Sequence, residues 1–407
     1  MGMGQVGIAP VRAAKIRVPG PRAYLRPMAS QAPSIPRVGV IGSGSWATAL
    51  TFLFTQHEEA ATHPVHWWVR QPESLEHIRK TGHNPHYLQS LTLDRDRLAL
   101  HGDVQAVVDA SDLVVLCVPS AYLDDALQGV TGLDGKVVFN AIKGFITDDH
   151  HIPARYLHKV FGVPYDRIGL ISGPSHAEEV ARKNWTYLTL ACPDVPLAEA
   201  VADRVRNPWL RTETTDDLFG IELAAVLKNV YAVAAGIAHG LGLGDNFIAV
   251  MMANAMQETR RFLDAVNETS RDVNASAYMG DLIVTAYSPH SRNRRLGTMI
   301  GRGYRVLGAL IEMDMVAEGY PAAKGIHEIN QKFGVSMPVA ECVYRVLHDN
   351  IAPTIEMRIL ADNIHGDSVR SPQRIRFRTC WFDGAPPDDH TVLVRWRPDR
   401  ASPVRAQ

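Results

Sequence analysis

The chain has 407 residues, a formal net charge of −1 and 46% hydrophobic residues. That length can build two or three domains, and the balanced overall charge does not point to nucleic acid or an anionic membrane. Cys117, Cys192, Cys342 and Cys380 stand apart with no CxxC spacing, and the 17 histidines form no HExxH or comparable set. A disulfide framework and a metal centre are therefore not expected, and a reducing compartment is.

In chain order, residues 1–35 come first. No acid precedes Glu58, whereas Arg12, Lys15, Arg17, Arg22 and Arg26 are basic. Such a leader fits a transit peptide or an extension without fixed structure, with Met28 as an alternative start. Gly and Pro interrupt any amphipathic helix there, which favours the extension. "PRVGVIGSGSWATALTFLF" predicts a buried strand over Val38–Ile41, a glycine turn and a helix. Further strands are predicted at 65–70, 112–120, 136–144, 167–175 and 186–192, with helical segments such as "DVQAVVDA" between them. This alternation predicts a parallel sheet covered by helices on both faces.

The pattern changes near residue 217. "LFGIELAAVLKNVYAVAAGIAHG", "NFIAVMMANAMQETRRFLDAVN", "AAKGIHEINQKFG" and "PVAECVYRVLHD" all predict helices. The apolar run at 221–238 is broken by Lys228 and Asn229, so a buried helix is expected rather than a membrane span. The expected fold is an α/β Rossmann-type dinucleotide-binding domain over 36–215, then a mainly α-helical substrate and catalytic domain over 216–365. Residues 366–407, rich in Arg and Pro, are expected to form a loosely ordered tail in which "HTVLVRWRP" could make one strand.

Gly42-Ser43-Gly44-Ser45-Trp46-Ala47 fits the G-x-G-x-x-G/A turn between strand and helix. Gly42 permits the tight turn, Gly44 lets the backbone approach a pyrophosphate, and Ala47 lets the helix pack on the strand. The helix N-terminus then offers free N–H groups to the anion. The second strand ends in Arg70, where an acid would grip the ribose hydroxyls of NAD. An arginine there can accommodate the 2′-phosphate of NADP, or it can be a solvated strand end.

Three later segments carry chemistry. Lys143 of "FNAIKG" follows a strand and so faces the ligand crevice of an open α/β sheet. Lys228 lies in an apolar helix. It either snorkels to solvent or is buried, in which case desolvation lowers its pKa enough for proton exchange near neutrality. Asp281 heads "GDLIVTAYSPHSRNRRLG" and is the candidate carboxylate to hold that lysine. Ser291, Arg292 and Asn293 combine hydroxyl, guanidinium and amide donors suited to a phosphate; on its own the segment reads first as an exposed basic turn capping a helix.

Together these motifs resemble the bacterial-type NAD(P)-dependent glycerol-3-phosphate dehydrogenase family. The resemblance runs from about Pro36 to Ile364 and includes "VGVIGSGSWATAL", "NAIKG", "SGPSHAEEV", "ELAAVLKNVYAVAAGIAHGLGLGDN", "MVAEGYPAAK" and "MPVAECVYRVL". It implies interconversion of dihydroxyacetone phosphate and sn-glycerol 3-phosphate with NADP or NAD, for phospholipid synthesis, by a cytoplasmic homodimer. It implies that Lys228 moves the proton. Lys143, Asp281, Gly173 and Ser175 would line the substrate site, and Ser291, Arg292 and Asn293 would hold the phosphate. Ser45, Trp46, Arg70, Lys143, Ala177, Arg292, Val316 and Glu318 would meet the cofactor. Two departures stand out: Ala47 ends the turn where the family usually has Gly, and "GDNFIAVMMANAMQET" lacks the usual Thr-Arg-Gly. A β-hydroxyacid-dehydrogenase-like reductase acting on a carboxylate, and a cofactor-binding module without catalysis, are the rival readings.

Overall fold

Short apolar runs punctuated by Gly, Pro and Asp become strands in the computed structural model, which describes residues 35–146, 149–313 and 316–364. The strands are β1 (Val38–Ile41), β2 (Val65–Trp68), β3 (Leu98–His101), β4 (Leu113–Leu116), β5 (Val137–Asn140), β6 (Ile168–Ser172), β7 (Thr186–Ala191) and β8 (Leu210–Thr215). They form one sheet in the order β3-β2-β1-β4-β5-β6-β7-β8. Every residue of β1, β4 and β6 is buried. Helices cover both faces, so these strands are continuous apolar runs rather than alternating ones.

The strand–helix alternation predicts a parallel sheet, and the structure departs from that at one pair. β7 runs antiparallel to β6, with Ile171 opposite Leu190. The connection holds only the five-residue helix Ala177–Ala181. At about 1.5 Å per residue that helix is too short to return the chain to the end at which β6 begins, so β7 starts where β6 ends and runs back. The 11-residue helix Val195–Val205 then makes a full crossover, and β8 is parallel to β7. β3 and β8 were not foreseen. Both are edge strands, and β8 reads "LRTETT", too polar to stand out as an apolar run.

Beyond β8 the chain is helical. The helix Leu218–Gly240 is buried without interruption from Gly220 to Ala238. Asp217 starts it by accepting from Gly220 N at 3.0 Å and is itself held by Arg271 Nε at 2.8 Å. Its apolar stretch is long enough to cross a membrane, but 94% of that stretch lies inside the molecule. Residues of one sheet face, including Leu116 and Val138, and of this long helix belong to one apolar core, and the other sheet face has its own.

The helix Arg292–Gly301 crosses the long helix unusually closely. A Cβ on Gly236 would lie 2.1 Å from Arg294 O, and one on Gly297 would lie 2.1 Å from Val233 O. Only glycine allows two backbones to touch in this way. That contact brings the segment 291–293 against the turns of the long helix that follow Lys228. The leader before residue 35, Cys380 and the strand expected at 390–398 lie outside the described residues.

Candidate active site

The glycine turn leaves β1 at Gly42, whose φ of +131° is open to glycine and not to other residues. A Cβ there would also strike Cys117 O at 2.2 Å. Gly44 caps the helix Ser45–Thr55 without any side-chain hydrogen bond, so the N–H groups of its first turn remain free for an anion. A Cβ on Gly44 would meet nothing within 4 Å. The space beside it is part of an open cleft of about 670 Å³ lined by Ser43, Ser45, Arg70, His86, Tyr87 and Arg182. Backbone donors, open room and two guanidinium groups fit a dinucleotide. Trp46 stands half-buried at the second position of the helix. Ala47 is fully buried, so its methyl is accommodated where the helix meets the sheet.

The second cluster joins three remote segments. Lys228 is 6% exposed and Asp281 1% exposed, so the lysine does not snorkel. Lys228 Nζ donates to Asp281 Oδ1 and, at 3.1 Å, to Thr285 Oγ1. Lys143 Nζ donates to the other oxygen, Asp281 Oδ2, at 3.0 Å. Ser172 Oγ, at the end of β6, lies 3.5 Å from that oxygen. Asn229 Nδ2 donates to Lys143 O at 2.8 Å and ties the loop after β5 to the long helix. Asp281 is the first residue of the helix Asp281–Tyr287, which continues without a break from the π-helical turn Ser276–Gly280, so that its own N–H is already bonded to Ser276 O.

The electrostatics follow from this packing. Burial lowers the Lys228 pKa from the ordinary lysine value; Asp281 opposes the shift and the charge of Lys143 adds to it. Burial would raise the Asp281 carboxyl, but the charges and hydrogen bonds of the two lysines prevail and hold it below the usual carboxylate value. The result is a buried ammonium that gives up its proton more readily than a surface lysine, next to a carboxylate that stays ionised.

The candidate phosphate clamp is adjacent. Ser291 Oγ caps the Arg292–Gly301 helix by accepting from Arg294 N at 3.2 Å. Asn293 is buried, and its Oδ1 accepts from Gly319 N at 2.9 Å. Gly319 in turn packs so tightly on Asn229 that a Cβ would lie 2.6 Å from Asn229 O. Arg292 is exposed. Gly173, with φ +108°, follows β6, and Ser175 Oγ donates to Gly173 O at 3.1 Å. Ala177 is the buried first residue of its short helix. Glu318 accepts from Ser120 N at 3.1 Å and from Ser120 Oγ at 2.5 Å, which ties the loop after β4 to the helical half. Burial raises the Glu318 pKa and the Ser120 bonds oppose that. Val316 is half-buried.

Two family models match the chain: the N-terminus of NAD-dependent glycerol-3-phosphate dehydrogenase over residues 37–198, and its C-terminus over 217–358. The chain belongs to the NAD-dependent glycerol-3-phosphate dehydrogenase family. A relative from Salinibacter ruber, glycerol-3-phosphate dehydrogenase (NAD(P)+) 2, is 37% identical over 319 residues, 78% of this chain and 91% of the relative. One from Chlorobium luteolum is 32% identical over 326 residues, 79% of this chain and 96% of the relative. The crystal structure of glycerol-3-phosphate dehydrogenase from Coxiella burnetii superposes with a TM-score of 0.72 at 25% identity, covering 80% of this chain and 98% of that one.

Within this dehydrogenase fold, the sequence-derived residues do not all meet: Ser291, Arg292 and Asn293 head one helix, Gly173, Ser175 and Ala177 follow β6, Glu318 holds Ser120, and two further groups are distinct. Lys143, Lys228 and Asp281 are in direct contact. Ser45 and Arg70 line the open cleft beside the glycine turn instead. Sequence reasoning did not single out Thr285, Asn229, Ser172 or Ser120. Thr285 carried a signal, since it lies four residues after Asp281 on one helix face. Ser172 and Ser120 carried none, because their partners are distant in the chain.

Proposed function

We propose that the chain interconverts dihydroxyacetone phosphate and sn-glycerol 3-phosphate, with Lys228 moving the proton and Asp281 and Lys143 holding its charge balance. The dinucleotide, NADP or NAD, supplies or accepts the hydride when bound. In reduction Lys228 Nζ protonates the carbonyl oxygen as it gains charge; in oxidation it takes the proton from the hydroxyl. Asp281 orients Lys228 and offsets two ammonium groups that would otherwise repel. Lys143, whose side chain is 21% exposed, adds positive charge at the edge of the site, where it can meet substrate.

Ser291, Arg292 and Asn293 take the phosphate, so binding energy remote from the reacting carbon sets its distance and angle. Gly173 and Ser175 contact substrate. Gly42, Gly44, Ser45, Trp46, Arg70, Ala177, Val316 and Glu318 meet the cofactor, together with Lys143 and Arg292. Residues 36–215 act as the dinucleotide-binding part and 216–365 as the substrate part. The observation that carries this reading is the buried Lys228–Asp281–Lys143 cluster beside a helix start bearing Ser, Arg and Asn. The product feeds phospholipid synthesis, and the protein works as a cytoplasmic homodimer. Free thiols at Cys117, Cys192 and Cys342 support the compartment, and Leu307 and Ile311, 69% and 86% exposed, support a covered face.

The test follows nicotinamide absorbance with NADPH or NADH and compares dihydroxyacetone phosphate with dihydroxyacetone. Strong turnover with the phosphate ester alone is expected. Equal turnover with both would remove the clamp, and preference for a carboxylate substrate would replace the reaction.

A further inference from the structure

Three consecutive carbonyls of the glycine turn accept side-chain hydrogen bonds from behind, and the third also accepts the first backbone bond of the helix, from Thr48 N at 2.9 Å. Gly42 O accepts from Trp67 Nε1 at 2.7 Å, Ser43 O from Asn84 Nδ2 at 3.1 Å, and Gly44 O from Thr48 Oγ1 at 2.9 Å. In a planar trans peptide the N–H points opposite the C=O. Fixing these three oxygens therefore aims the N–H groups of Ser43, Gly44 and Ser45 away from Trp67, Asn84 and Thr48.

Asn84 does more than hold one carbonyl. It is 2% exposed. Its Nδ2 also donates to Thr48 Oγ1 at 2.9 Å, and its Oδ1 accepts from His86 N at 3.0 Å and Tyr87 N at 3.2 Å. Two donors and two acceptors are all that an asparagine amide has, and all are used. His86 and Tyr87 line the same cleft as Ser43 and Ser45. One buried amide thus joins the glycine turn to the 85–90 loop. Aspartate has no donor to give Ser43 O, and a shorter side chain cannot span the gap.

We propose that Asn84 is a positioning residue for the dinucleotide: it sets the glycine turn and the facing loop at one fixed separation, so that the anion site is formed before the cofactor arrives. The proposal rests on the glycine turn being the pyrophosphate site. Preorganised donors bind an anion more tightly than donors that must first be ordered.

The test is NADPH titration of the apoprotein, read by nucleotide fluorescence, for wild type, Asn84→Asp, Thr48→Val and Thr48→Ser, with KM for dihydroxyacetone phosphate measured at saturating NADPH. Asn84→Asp is expected to raise the NADPH Kd about tenfold, and Thr48→Val several-fold, the scale of one or two lost buried hydrogen bonds. Thr48→Ser, which keeps the hydroxyl, should restore wild-type affinity, and the substrate KM should stay within about twofold throughout. If Asn84→Asp does not fold, the Thr48 pair decides, since valine and threonine have the same shape. An unchanged Kd in Thr48→Val, or a Kd that worsens equally in Thr48→Ser and in step with the substrate KM, would overturn the role. A wild-type protein that binds no NADPH would instead overturn the dinucleotide assignment, and Asn84's role with it.

Discussion

The glycine turn and the lysine cluster solve opposite problems. The turn presents backbone N–H groups to an open cleft, and its specificity comes from what is missing: no Cβ at Gly42 or Gly44, no capping side chain. The lysine cluster uses side chains from β6, the loop after β5 and two helices, sealed until Lys228 is 6% exposed. An anion held by many weak partial charges tolerates solvent. The proposed proton donor, tuned by desolvation, does not, so it sits where burial is nearly complete.

That contrast can be broken most severely at Lys228. Lys228→Ala should lower kcat by about 10³-fold, in the usual range for a lost general acid, while the NADPH Kd stays within about twofold. Near-normal turnover by stopped-flow would remove the lysine from the chemistry. Asp281→Asn should come next. It leaves two lysines facing each other, with an expected loss of about 10²-fold in kcat and a stability cost on the order of 3 kcal/mol, read by urea denaturation.

Gly236→Ala tests the helix crossing that joins the clamp to the lysine helix. Its methyl would sit 2.1 Å from Arg294 O, so the helices must part. A loss of about 2 kcal/mol is expected, with a raised KM for dihydroxyacetone phosphate because Ser291, Arg292 and Asn293 shift. A rise in NADPH KM alone would show that the two regions are coupled differently. Arg70→Ser should raise the NADPH KM about tenfold and leave the NADH KM within about twofold, the signature of a lost phosphate contact.

The smallest expected change concerns position on the pH axis. Burial lowers the Lys228 pKa, so its protonated form disappears at lower pH than for an ordinary lysine near ~10.4. Reduction should therefore lose kcat as pH rises well before that value, and oxidation should gain over the same range. A limb near the ordinary lysine value would place Lys228 in contact with water.

Local order was legible in the chain where one force dominated. The Val38–Ile41 strand, the glycine turn and the helix Leu218–Gly240 each follow from contiguous residues, and the structure has them at the expected places. β8 was missed because it is polar, and β3, only four residues long and half-buried, because its pairing depends on a neighbour already in place. The direction of β7 was missed because it depends on how far a five-residue helix can carry the chain.

By itself, the sequence determined residue chemistry and backbone permission: a glycine turn that can receive an anion, a lysine among apolar neighbours, a carboxylate and a donor-rich turn. It left open whether Lys228 snorkelled or was buried, because that depends on what covers the helix, not on the helix. Tertiary structure decided it by packing the Asp281–Tyr287 and Arg292–Gly301 helices on the long one, with Gly236 and Gly297 removing the separation. It also decided which of two possible roles each polar residue took. Desolvation and hydrogen-bond partners come from segments as far as 198 residues apart, as Ser120 and Glu318 are, and no local pattern can encode them.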